Sequence, residues 1–225
     1  MPGLSYNPMV QGKVLAKSTV IIVGILLTGF EPFRGETINP SWETCKAVLS
    51  LNLNMDIMAS QLPVVFDEAR EKALASCKEV EPDIVLHLGE AGGYTHVAVE
   101  RIAINCDHAK VKDNKGIVRE NQAIEPGGQD GYFATIPVAR IVDTITEAGI
   151  PAVISNSAGT YLCNHVLYGT LHYIKRNNLP IRAGFMHLPY LPQQAVDKPG
   201  KASMSLDLMV KAVTVALEEC VSVIQ

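Results

Sequence analysis

The run Thr19-Val20-Ile21-Ile22-Val23-Gly24-Ile25-Leu26-Leu27 is almost unbroken in its apolar character and rich in β-branched residues. It is too short to cross a membrane, which takes about 20 residues. No small-residue cleavage site follows it, as a signal peptide would require; the chain goes on to Thr28-Gly29-Phe30-Glu31-Pro32-Phe33. A β-branched run closed by a Gly/Pro turn reads as a strand buried on both faces, the kind found in parallel sheets covered by helices. Residues 1–18 then form a polar extension, expected to be mobile, and residues 19–225 a single domain.

The rest of the chain alternates strand-like and helix-like segments. Asn39-Pro40-Ser41-Trp42-Glu43 opens a helix that runs towards Ser50. Asp56 to Val65 reads as a strand, Asp67 to Glu79 as a helix, and Pro82 to Leu88 as a strand ending at Gly89-Glu90-Ala91-Gly92-Gly93. Val97 to Asn105 is strand-like, and Asp107 to Gly131 reads as one long, turn-rich loop of the kind that often carries function. A helix over Ile136 to Ala148 precedes a short strand at Ala152 to Ser155, and a helix-like segment over Gly159 to Lys175 precedes a strand at Ile181 to Leu188. Ser205 to Val223 closes the chain as an amphipathic helix. The expectation is a three-layer α/β/α sandwich with a mostly parallel central sheet.

Composition removes several function classes. Lys and Arg are scattered and the formal net charge is -4, which gives no electrostatic case for nucleic acid. Five widely spaced cysteines do not form a disulfide framework and fit a reducing, cytoplasmic setting. No CxxC, HExxH or EF-hand pattern is present, so no dedicated metal site is expected.

Chemistry concentrates around Ala158-Gly159-Thr160-Tyr161-Leu162-Cys163-Asn164-His165. A short strand enters a small-residue turn, and a helix begins just before Cys163. A thiol at a helix N-terminus sits near unpaired N–H groups and the positive end of the helix dipole, which favours the thiolate. The same N–H groups can receive an oxyanion. A buried packing cysteine is the competing reading. His165 lies two residues along the helix, on nearly the opposite face, and His172 reads as a surface or packing residue. His187 ends an apolar strand at the rim where parallel strands converge, which makes it the geometric candidate for a base. Glu100, a carboxylate amid apolar residues, is either paired with a cation such as Arg101 or used in a site.

The chain resembles pyroglutamyl peptidase I (pyrrolidone carboxyl peptidase) over about residues 25–206. The motifs are Thr28-Gly29-Phe30-Glu31-Pro32-Phe33, Asn39-Pro40-Ser41-Trp42-Glu43, Gly89-Glu90-Ala91-Gly92-Gly93, Glu100-Arg101-Ile102-Ala103-Ile104-Asn105, the cysteine segment, and His187-Leu188-Pro189-Tyr190-Leu191-Pro192. The resemblance implies a Glu100, Cys163, His187 triad acting on peptides with an N-terminal pyroglutamate. It also implies a homotetramer and no metal or organic cofactor. Phe30 and Phe33 match the family's aromatic wall, and Tyr161 and Leu162 lie near the nucleophile. Asn39 can donate to a lactam oxygen or cap the helix after Pro40. Glu90 stands where the family usually has Gln, Lys110 where it has Arg, and Arg34 where it has Gly. These departures keep two alternatives open: a related thiol amidase with a shifted substrate, and a non-catalytic binding protein on the same fold.

Overall fold

The structure is a computed structural model that describes residues 22–224. The proposed 1–18 extension and the first residues of the expected first strand lie outside the described residues. Six strands form the central sheet, in the order β2-β1-β3-β10-β4-β9. They are β1 (Gly24–Phe30), β2 (Asp56–Leu62), β3 (Ile84–Glu90), β4 (Val97–Glu100), β9 (Ala152–Ser155) and β10 (Arg182–Leu188). Every neighbouring pair is parallel except β10 with β4. The sheet is therefore mostly parallel, as the apolar runs predict.

Side-chain alternation divides the core into two layers. Ile25 and Leu27 of β1, Leu86 and Leu88 of β3, and Met186 and Leu188 of β10 face one side. There they pack under α1 (Pro40–Leu49), α3 (Val138–Glu147) and α6 (Leu206–Ser222). Leu26, Val85, Ala183 and Phe185 face the other side, under α2 (Glu68–Val80) and α4 (Leu162–Arg176). The α1 start follows from local chemistry: Asn39 accepts the Ser41 N–H at 3.1 Å, and Pro40 occupies the first turn, where no N–H is needed.

Several boundaries differ from the sequence reading. β1 ends at Phe30 rather than Leu27, and β3 continues to Glu90, so Gly89 and Glu90 are strand residues rather than a turn. The expected strand Val97 to Asn105 breaks at Arg101. β4 stays in the central sheet, while β5 (Ile102–Ile104) pairs antiparallel with β8 (Gly131–Phe133). Arg101 is the pivot: its N–H donates to Ser155 O at 2.8 Å and its carbonyl accepts from Ala134 at 2.9 Å. The expected loop Asp107 to Gly131 contains the antiparallel pair β6 (Asp107–Ala109) and β7 (Arg119–Gln122). Its turn is organised by the buried carboxylate of Asp113, which accepts the N–H groups of Lys115 at 2.9 Å, Ile117 at 2.8 Å and Phe66 at 3.0 Å. A short helix, α5 (Pro192–Ala195), follows β10.

Candidate active site

Strand parity brings the site together. His187 of β10 is in register with Gly89 on one side and Ala98 on the other. Residues 85, 87 and 89 of β3, 183, 185 and 187 of β10, and 98 and 100 of β4 thus point towards the α4 layer. Helix α4 begins at Leu162, with Tyr161 as its cap residue. Tyr161 makes no side-chain cap bond, so the first-turn N–H groups around Cys163 remain available as donors.

His187 Nδ1–H donates to Glu100 Oε1 at 2.7 Å, and the Glu100 side chain is 1% exposed. With Nδ1 engaged, Nε2 is the nitrogen left for the Cys163 thiol, whose sulfur acts on the same imidazole. Burial would lower the proton affinity of His187. The charges of the Cys163 sulfur and Glu100, with their hydrogen bonds, outweigh burial and raise its pKa to about 10. Arg101 does not pair with Glu100; its guanidinium reaches Asn156 Oδ1 at 2.9 Å. The ion-pair reading of Glu100 is replaced by a carboxylate–imidazole contact.

Cys163 also opens onto a cavity of about 160 Å³. Phe30, Phe33, Asn39, Glu90, Tyr161 and Leu162 line it, all expected from sequence. Lys110 does not. It is exposed just beyond β6, where its ammonium stays in water, and it is not among the lining residues. The cavity wall also includes Val64, Gly92, Tyr190 and Arg34. Arg34 and Tyr190 sit within or beside the motifs quoted above, whereas Val64 carries no sequence signal beyond its apolar character. Phe33 tilts against Tyr161 with ring centroids 5.7 Å apart, and Phe66 meets Tyr161 edge-on at 5.2 Å. Asn39 behaves as a cap: its Oδ1 serves Ser41 and its Nδ2 donates to Glu31 O at 3.0 Å. Glu90 Oε2 accepts from Gln194 Nε2 at 2.8 Å, and burial pushes the Glu90 carboxyl above the usual carboxylate range.

The other histidines of this region serve different contacts. His165 is fully buried, with Nδ1 2.8 Å from Asp107 Oδ2, and His172 Nδ1 lies 3.0 Å from the Tyr132 hydroxyl. His87 bridges Thr28 at 2.7 Å and Thr170 at 3.0 Å. Neither the spacing nor the strand pattern of the sequence signals the His87 bridge.

A thiol at a helix start, an imidazole held by a buried carboxylate and an apolar cavity beside them are the equipment of a cysteine hydrolase on an α/β/α frame. The chain belongs to the pyroglutamyl peptidase family, whose family model matches residues 23–223. It is 50% identical over 194 residues to pyrrolidone-carboxylate peptidase 2 of Caldanaerobacter subterraneus subsp. tengcongensis, covering 86% of this chain and 94% of that one. Among solved structures, a mutant pyrrolidone carboxyl peptidase from Pyrococcus furiosus superposes with a TM-score of 0.86 at 40% identity, covering 89% of this chain and 99% of that one. Pyroglutamyl peptidase I of Bacillus amyloliquefaciens gives 0.85 at 39% identity, with 89% and 97% covered.

Proposed function

We propose that Cys163, His187 and Glu100 remove N-terminal pyroglutamyl residues from peptides through a thioester. His187 Nε2 takes the thiol proton, and the sulfur adds to the pyroglutamyl carbonyl carbon. First-turn N–H groups of α4 hold the oxyanion. The C–N bond breaks as the imidazolium returns the proton to the departing amine, and water then hydrolyses the thioester to regenerate the thiol. The observation that carries this reading is the His187–Glu100 hydrogen bond of 2.7 Å beside Cys163 and its cavity. A raised proton affinity at His187 suits it to take the thiol proton and to return it to the leaving amine.

The lactam supplies the specificity. Phe30, Phe33, Tyr161 and Leu162 offer apolar walls to a compact, neutral ring. Gln194 occupies one Glu90 oxygen, and the other can accept the lactam N–H. Proline lacks the ring carbonyl, so comparing pyroglutamyl with prolyl amides tests the pocket; comparable turnover of both would contradict this reading. A reducing, cytoplasmic setting is supported by five free cysteines. A single domain is supported, over the described residues 22–224, by two core layers built on one sheet. The homotetramer rests on the family resemblance.

A further inference from the structure

Arg34 stands at the tip of the turn Phe33–Glu36, closed by the Glu36 N–H donating to Phe33 O at 3.1 Å. Arg34 has φ +55° and Gly35 φ +79°, so both central residues are left-handed, as in a type I′ turn. Glycine takes that conformation freely, whereas an L side chain is strained there. The turn is nevertheless held firmly. Glu31 Oε1 accepts the Val64 N–H and the Asn114 amide, each at 2.9 Å, and Glu36 pairs with Lys198 at 2.8 Å. A bulky cation is therefore presented by a strained position in a pinned loop, and such outliers cluster at functional sites.

The side chain is placed to meet substrate. Arg34 is exposed and lines the cavity, and its Cζ lies 5.1 Å from the Phe33 ring centroid. Nearby Lys198 is already engaged by Glu36 at 2.8 Å and Asp197 at 3.1 Å. Arg34 has no carboxylate partner of this kind among the described residues, and its charge acts on Glu90, Tyr161 and Tyr190 across the cavity. Phe30, Asn39, Val64 and Leu162 are buried and form the cavity floor. A pyroglutamyl ring on that floor, with its carbonyl at Cys163, sends the following residue out past the rim.

We propose that Arg34 selects substrates carrying a carboxylate on the residue that follows pyroglutamate. This rests on the pyroglutamyl reading above. The carboxylate can be an acidic side chain at that residue or the free C-terminus of a dipeptide; a guanidinium fork binds either.

Two matched pairs separate these sources: pyroglutamyl-glutamate amide against pyroglutamyl-glutamine amide, and pyroglutamyl-alanine free acid against its amide. Each pair is compared in kcat/KM for the wild type and Arg34→Gly, a substitution that relieves the turn. The wild type is expected to favour the acidic member of at least one pair by about fivefold, in the range of an exposed ion pair. That ratio is expected to fall to about one in Arg34→Gly and to shrink in high salt. Preference in the first pair assigns the side chain, and in the second the C-terminus. No preference in either pair, or a preference that survives Arg34→Gly, overturns the proposal. Absence of turnover on all four substrates overturns the pyroglutamyl reading and this proposal with it.

Discussion

Cys163 Sγ lies only 2.9 Å from where a β-carbon on Gly89 would stand. The same β-carbon would fall 2.6 Å from Phe185 Cζ. Gly89 is in register with His187 on the neighbouring strand, so its missing side chain leaves the sulfur room beside the imidazole. Gly89→Ala should displace either Cys163 or Phe185. The expected loss is roughly a hundredfold in kcat, from a sub-ångström shift of the reacting atoms. Overpacking should also cost about 1–3 kcal/mol of stability. Steady-state kinetics with a urea titration checks both, and unchanged kinetics would remove Gly89 from the account.

Glu100 fixes the imidazole through Nδ1. Glu100→Gln keeps the shape but can present its amide donor to Nδ1 and favour the wrong tautomer. A fall in kcat of roughly tenfold to a thousandfold is expected, with the pH–rate profile displaced because Glu100 contributes to the raised proton affinity of His187. A purely structural Glu100 would change stability and leave the profile in place.

His87 provides a pH test away from catalysis. Burial lowers its pKa to about 3, so it is neutral in the fold. Unfolded chains bind its proton below about 6.5. Between these values the unfolded state holds more protons, so the stability due to neutral burial is full above about 6.5 and is lost as pH falls towards about 3. His87→Gln should flatten the acid limb by up to about 1.4 kcal/mol per pH unit. Urea midpoints measured at several pH values for both proteins check this, and equal slopes would contradict it.

Much of this was legible in the sequence, and the reasons are physical. Apolar runs located the central strands because a sheet covered on both faces needs them. Cys163 was legible as a helix-start thiol and His187 as a strand-end imidazole. Glu100 was not separable from an ion pair by local pattern, because its partner is 87 residues away in the chain. β7 was hidden because Arg119–Gln122 is polar and mostly exposed, so it lacks the apolar alternation that marks a strand. Lys110 was matched by motif position, but exposure on the hairpin keeps it out of the cavity. Tyr190 lies within a sequence motif, yet only the fold brings it to the cavity wall.

The most direct test of the central claim is hydrolysis of a pyroglutamyl-linked fluorogenic amide by wild type and Cys163→Ala. Circular dichroism and the urea midpoint should confirm that both are folded. The account predicts loss of turnover by roughly 10⁴-fold, since among the described residues no other thiol lines the cavity. Equal rates for the two folded proteins would contradict it.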